Sequence, residues 1–280
     1  MSDRVTGANE APPLADRLHD VVDGLVERDG LLLALDFDGT LAPITDRPDE
    51  AAIAPAAAEA IDRLTDVDEV RVPVVSGRQL ADLRERVDAD AYAGNHGLEL
   101  RVDGETRVAP EAETARDALA EAVDAVEERV ADVDGAVVER KGVTATVHYR
   151  RADAGDVPRV EEAVREAAGD RDDLRVTEGK AILEIRPDVD WDKGAAVERL
   201  TDDLVPDGED WLRVYVGDDR TDEDAFATLS DGLGVKVGGG TTRADVRVDD
   251  PEAAAAFLTW LADHGATFLR RDPDDGPVPR

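Results

Sequence analysis

The sequence predicts an α/β protein: a parallel-sheet core of alternating strands and helices, interrupted by an α+β insert. Three observations predict it. Short continuous apolar runs, LLLAL (31–35), VRVPVVS (70–76) and LRVYVGD (212–218), suit strands buried on both faces of a parallel sheet. Helical patterns alternate with these runs, which calls for right-handed βαβ crossovers. Between the second and third runs the strand polarity alternates instead, as in a sheet with one face in water.

Taken in order, residues 1–12 read as a loose polar tail. Leu14, Leu18, Val21, Val22 and Leu25 recur at helical spacing, so a helix is expected over about 14–28, ended by Gly30. The strand LLLALD (31–36) follows, then an alanine-rich helix to about Leu64. Pro73 lets the 70–76 strand pair on one side only at that point. Leu80, Leu83 and Val87 mark the next helix, and AYAGNHG (91–97) a short strand ending in a glycine loop. The Asp-Gly of residues 98–110 is a hairpin turn. A long helix is expected over about 111–132, strands over 136–150, a helix over 156–168 and two strands around Gly179. Val143, Ala145, Val147 and Tyr149 should face the insert's core, and Thr144, Thr146, His148 and Arg150 the wet side. The core then resumes with a helix (193–204), the 212–218 strand, a helix from Thr221 and the strand GLGVKVGG (232–239). The expected division is a core of 13–100 and 189–268, an insert of 101–188, and flexible tails 1–12 and 269–280.

Composition narrows the function. A chain of 280 residues with 42% hydrophobic content can bury a sizeable core. No apolar run approaches the ~20 residues of a membrane span, and the N-terminus has no apolar segment of the secretory kind. The absence of cysteine excludes disulfides, thiolate metal sites and thiol nucleophiles. The net charge of −34, spread along the whole chain, suits a surface adapted to high salt, where repulsion is screened within about 3 Å at 1 M. An acidic protein from ordinary salt is the plain alternative. Either way nucleic acid is an unsuitable partner, because phosphate backbones need basic patches.

Four strand ends carry chemistry. DFDGT (36–40) places Asp36 and Asp38 at the C-terminal end of a buried strand, where open α/β sheets bind ligands. Two close carboxylates need a countercharge, and Mg²⁺ suits hard oxygen ligands; a solvated turn is the plain alternative. In VVSGR, the Ser76 hydroxyl and the N–H groups from Gly77 onward, at an expected helix N-terminus, suit a phosphate oxygen. Lys193 opens a helix, where the dipole disfavours a cation, in a chain whose other lysines are only Lys141, Lys180 and Lys236. Asp218 and Asp219 end the strand 212–218. Thr221 with Asp224 resembles a capping box, which assigns Glu223 and Asp224 to helix structure.

Together DFDGT, Ser76 in VVSGR, Lys193, and Asp218 to Asp222 in GDDRTD resemble the four motifs of haloacid dehalogenase superfamily phosphatases, over nearly the whole chain. The resemblance implies a Rossmann-like core with a C2-type cap that closes over the site and selects the leaving group. It implies Asp36 as nucleophile and Asp38 as acid and then base. Ser76, Gly77 and Lys193 would hold phosphate oxygens. Mg²⁺ would be held by Asp36, the backbone carbonyl of Asp38 and Asp218, with Asp219 and Asp222 in support. A finer resemblance, to trehalose-6-phosphate phosphatases, rests on GNHGLE (94–99), ERKGVTATVHYR (139–150), EGKAILEIRP (178–187) and GDDRTDEDAF (217–226). It implies Glu139, Lys141, His148, Arg150, Lys180 and Glu184 as sugar-facing residues, and Asn95 and His96 as a loop near the site. Each is also consistent with a solvated strand face or a loop residue bonded to backbone. The implied partners are a small sugar phosphate and, as a pathway neighbour, a trehalose-phosphate synthase, in the cytoplasm. A phosphatase for sucrose-6-phosphate or mannosyl-3-phosphoglycerate, a phosphomutase, and a non-catalytic sugar-phosphate-binding domain remain rivals. The intact acids, and a sequence with no fused second domain, argue against the last.

Overall fold

A computed structural model describes residues 9–269, apart from positions 27, 46, 170 and 180. The chain opens with β1 (Asn9–Glu10) and a 3₁₀ turn at Leu14–Arg17. It continues through α1 (Leu18–Leu25), β2 (Gly30–Leu35), α2 (Pro55–Thr65), β3 (Val70–Arg71), β4 (Pro73–Val75), α3 (Leu80–Arg86), β5 (Ala91–Gly94), β6 (Glu99–Val102) and β7 (Glu105–Val108). Next come α4 (Pro110–Thr114), α5 (Arg116–Val130), β8 (Val137–Arg140), β9 (Ala145–His148), α6 (Val157–Ala168), β10 (Leu174–Gly179) and β11 (Ile182–Pro187). The last part holds α7 (Lys193–Leu204), β12 (Trp211–Gly217), α8 (Asp222–Thr228), β13 (Leu233–Val237), β14 (Thr241–Thr242), β15 (Val246–Val248) and α9 (Pro251–His264).

Two compact units result: Met1–Glu105 with Asp192–Arg280, and Thr106–Trp191. The first is built on a sheet of order β15-β13-β12-β2-β4-β5-β6-β7, with β3 also beside β2. From β15 to β5 its strands run parallel, so every strand end between Asp36 and Lys236 that carries chemistry lies along one edge. All six residues of β2 are buried, as its unbroken apolar run requires. The second unit is a four-stranded antiparallel sheet, β10-β11-β9-β8. One face packs on α5 and α6 through Leu119, Val126, Val147, Val160 and Ile185.

Several expectations are corrected. Residues 9–12 are not loose: Asn9–Glu10 pair with Thr241–Thr242, and the Pro12 carbonyl accepts from Arg247 N at 2.9 Å. Leu269, expected to open the other tail, is buried in the core. The 14–28 helix is a 3₁₀ turn followed by α1, because Arg17 at φ −125° interrupts the ladder and Val26 is extended. The 111–132 helix is likewise divided, at Ala115. Pro73 splits the 70–76 strand and has a register partner on one side, Ala91, as expected; Val72 N turns to the Asp90 carboxylate at 2.6 Å. The Asp-Gly hairpin forms with positive φ at Asp103 and Gly104, but its first strand pairs with β5 and so extends the core sheet. The expected capping box does not form. Thr221 Oγ1 donates to Asp219 at 2.7 Å, and it is Asp219 that accepts from the N–H groups of Thr221 and Asp222. Finally, Thr144 and Thr146 are buried rather than wet. Thr146 lies between Glu139 and Glu184 in register, and those longer side chains flank it on the same face. Among the described residues, no helix is long and apolar enough to cross a membrane.

Candidate active site

The site assembles because four parallel strands end side by side. Asp36 follows β2 and is tied to β12 by its N–H, which donates to Val216 O at 2.9 Å. Its carboxylate is buried and accepts from Lys193 Nζ at 2.8 Å. Lys193, only 2% exposed, donates equally to Asp222 Oδ1 at 2.7 Å. Two carboxylates thus resolve the unfavourable position of a cation in the first turn of α7. Asp222 is fully buried, and its other bonds come from Tyr215 OH at 2.6 Å and Asp219 N at 2.8 Å.

Burial pushes the Asp36 carboxyl well above the usual carboxylate range; Asp222 and Asp218 add to the rise and Lys193 opposes it. Burial would lower the Lys193 ammonium, but Asp36 and Asp222 outweigh that and hold it above the ordinary lysine value. Asp218 is pushed up to about 6, first by burial and then by Asp222 and Asp219. Asp219 goes the other way, to about 2, because Lys193 and bonds from Thr221 outweigh burial.

One oxygen each from Asp36, Asp218 and Asp222 lie within 4.8 Å of one another. Asp218 Oδ1 is buried without a hydrogen-bond partner among the described residues. An orphaned anionic oxygen and crowded carboxylates fit a hard divalent cation such as Mg²⁺. Asp222 already spends both oxygens on Lys193, Tyr215 and Asp219 N, so Asp36 and Asp218 are the better donors. Gly39, at φ +81°, makes the turn possible, and an added Cβ there would collide with the Asp218 carboxylate.

The Asp38 carboxylate stands outside this cluster. It is 42% exposed and held by Arg78, Nε to Oδ2 at 2.6 Å and Nη2 to Oδ1 at 2.7 Å. Arg78 also binds Asp82 at 2.7 Å and lies over the Phe37 ring. Ser76 follows β4 and is buried, with its Oγ accepting from Arg78 N at 3.3 Å. The helix expected to begin at Ser76–Gly77 begins at Leu80, because Gln79 is still extended; the two residues are loop. Gly77 is pressed against the His96 ring, which a Cβ would meet at 2.7 Å. Asn95 and His96 both adopt positive φ, and the His96 N–H donates to Ser76 O at 2.9 Å. Asn95 Nδ2 reaches Glu99 at 2.6 Å.

In the second unit, the sheet face opposite the helices carries Thr177, Glu184, Thr146 and Glu139 in one row. His148 Nε2 meets Glu139 at 2.8 Å, and Thr177 Oγ1 donates to Glu184 at 3.4 Å. Lys141 continues the alternation just past β8, its N–H donating to Thr144 O at 2.8 Å. Arg150 is not part of the face: β9 ends at His148, and Arg150 lies exposed in the turn beyond. Lys180 lies outside the described residues.

Sequence reasoning missed three residues. Arg78 stands in VVSGR, where nothing in the residue pattern marks it as the partner of Asp38. Tyr215 is hidden in an apolar strand run. Lys236, buried beneath the Asp218–Asp219 turn, shares with Lys193 the scarcity of lysine in this chain, but it stands within a strand rather than at a helix start.

The family described as Trehalose-phosphatase matches residues 34–257. A trehalose-phosphate phosphatase of Mycobacterium avium (strain 104) is 40% identical over 270 residues, covering 91% of this chain and 68% of that protein. The C-terminal domain of Candida albicans trehalose-6-phosphate phosphatase superposes with a TM-score of 0.73 at 26% identity, over 91% of this chain and 99% of that one. A haloacid dehalogenase-like hydrolase from Bacteroides thetaiotaomicron shares the fold, with a TM-score of 0.59 at 15% identity over 83% of this chain and 99% of that one. The chain belongs to the trehalose-phosphatase family.

Proposed function

We propose that the chain is a phosphoric monoester hydrolase that converts trehalose 6-phosphate to trehalose and phosphate through a phospho-aspartate on Asp36. The observation that carries the chemistry is the buried Asp36–Lys193–Asp222 constellation beside Asp218. Family membership carries the substrate.

Asp36 attacks phosphorus and the bond to the sugar oxygen breaks. Lys193 fixes Asp36 through one oxygen, leaving the other to react, and neutralises charge gathering on the phosphoryl group. Asp38 gives the leaving oxygen its proton, then takes one from the water that hydrolyses the aspartyl phosphate. Arg78 occupies both Asp38 oxygens, so this role requires the Asp38–Arg78 pair to open when substrate binds. Ser76 and the Gly77 N–H hold phosphate oxygens. Asp36, the Asp38 carbonyl and Asp218 would hold Mg²⁺, which supplies electrostatic stabilisation of the phosphoryl oxygens when bound. Such crowding matches the demand: phosphate monoester hydrolysis needs up to about 10²¹-fold acceleration, and one acid or base supplies roughly 10²–10⁴. Glu139, Lys141, His148 and Glu184, with Lys180, offer donors and acceptors for sugar hydroxyls. The acidic surface is suited to molar salt, where thermal stability should rise from about 0.1 M to about 2 M KCl as repulsion is screened.

The test is phosphate release from a panel of sugar phosphates in high KCl with Mg²⁺, beside Asp36→Asn and an EDTA control. Selective release from trehalose 6-phosphate, lost in both controls, is expected. Equal turnover of sucrose-6-phosphate would overturn the substrate while keeping the chemistry.

A further inference from the structure

Lys236 has no part in the mechanism above, yet it is 6% exposed in a chain with only four lysines. It lies in β13, in register with Gly217 of β12, directly beside the turn that carries Asp218 and Asp219. Its Nζ donates to the backbone carbonyl of Asp218 and, at 3.3 Å, to that of Asp219. Among the described residues it forms no carboxylate ion pair; both acceptors are backbone carbonyls. Taking an ammonium out of water for two neutral acceptors is costly unless nearby negative charge offsets it. The carboxylates of Asp36, Asp218, Asp219 and Asp222 provide that charge. Counted as ions, the four acids and the two ammoniums of Lys193 and Lys236 leave a net of two negative charges, the deficit a divalent cation fills.

The turn needs such an anchor. Asp219 and Asp222 tie it internally through the bonds from Asp219 N and Thr221 N, but these do not fix its height over the sheet. The carbonyls of Asp218 and Asp219 precede α8 and are not part of the β12 ladder. We propose that Lys236 is a positioning residue: it clamps the Asp218–Asp219 turn from β13 and so sets the geometry in which Asp218 presents its oxygen to the divalent cation. The proposal rests on the metal-site reading given above.

The sign of one measurement separates this clamp from a mere charge. Removing a cation from the cluster should, by Coulomb attraction alone, tighten binding of a divalent ion. Removing a clamp should weaken it. Mn²⁺, read as free ion by electron paramagnetic resonance, is the probe. Titrations run in about 1 M KCl so that the acidic surface does not hold the ion, with Asp218→Asn as the blank. Lys236→Met, shown folded by circular dichroism, should bind Mn²⁺ roughly 10- to 100-fold more weakly than the unaltered protein. Unchanged or tighter binding would overturn the clamp. Should Lys236→Met fail to fold, Lys236→Arg decides, since it keeps the charge but not the reach: weaker binding supports the clamp, and unaltered binding overturns it. If the unaltered protein and Asp218→Asn bind alike, the metal-site reading fails and the clamp fails with it.

Discussion

The core site and the polar face of the inserted sheet use the same residue types in opposite ways. In the core, Asp36, Lys193 and Asp222 are buried and bonded to one another at 2.7–2.8 Å, with Tyr215 and Asp219 N completing the set. On the insert, Glu139 and His148 form a partly exposed pair, and Glu184 accepts from Thr177 Oγ1 at 3.4 Å. Buried charges fixed before substrate arrives are what a transition state with developing charge needs. A ligand recognised by its hydroxyls is served by side chains that remain hydrated and exchange water for sugar. Under the proposed function, chemistry falls to the first region and selectivity to the second, and each can be broken separately.

Asp36→Asn is the largest break. Loss of the nucleophile should lower turnover of every phosphate ester by at least about 10³-fold. Burial, Asp222 and Asp218 disfavour the ionised Asp36 and together outweigh Lys193, which keeps Asp222 as its partner, so the neutral amide should leave the melting temperature of the metal-free protein unchanged or raised. A steep fall in melting temperature would mean that the carboxylate is needed for folding as well as for chemistry.

Lys193→Met removes the cation from the same cluster and should have the reverse balance. Asp36 and Asp222 would then be buried without their common countercharge, which costs about 3–5 kcal/mol when one partner of a buried pair is removed. Denaturant unfolding of the metal-free protein checks this. A variant as stable as its parent would show that the two carboxylates take up protons at little cost, and that the ammonium is not the structural keystone of the core site.

The pH dependence of ion binding sharpens the comparison further. The cation needs Asp218 ionised, and in the metal-free protein Asp218 is held at about 6. As pH falls through 6 the proton competes, and Mn²⁺ affinity should drop by at least about tenfold per pH unit, since Asp36 is raised in the same sense. Above that range Asp218 ceases to limit binding. A flat profile between pH 5 and 7 would remove Asp218 from the ligand set.

How much of this was legible follows the same division. Asp36, Ser76 and Asp218 could be located because strand ends are marked by a change from apolar to polar residues, and parallel strands bring those ends to one edge; Lys193 could be located as a rare lysine in the first turn of a helix. Arg78 and Tyr215 could not: Arg78 acts through Asp38, 40 residues away, and Tyr215, 7 residues from its partner Asp222, stands inside an apolar strand run. Lys236 shares the rarity of Lys193 but stands within the apolar β13 run and binds backbone carbonyls, which no residue type marks. Helix continuity was overread at Arg17 and Ala115, where apolar spacing persists through a break in the hydrogen-bond ladder. In the insert, alternation identified the polar face but not its burial, since Thr146 is shielded among longer neighbours. The acid-rich composition also blurred capping. Asp219 rather than Thr221 serves the start of α8, a choice that depends on the turn's geometry and not on residue type.

The smallest predicted effect falls on the insert and is the most diagnostic. Glu184→Gln keeps the shape and one acceptor but loses the charge, on a strand face held by β9 and β10 on either side. A hydrogen bond to a charged group is worth about 1.5–3 kcal/mol, so KM for trehalose 6-phosphate should rise roughly 10- to 100-fold. Turnover of p-nitrophenyl phosphate, which has no sugar to recognise, should be unaltered, because the Asp36–Lys193–Asp222 bonds do not involve Glu184. Equal loss on both substrates would place Glu184 in the chemistry and erase the distinction between the regions. Loss on neither would leave sugar selection to Glu139, Lys141 and His148.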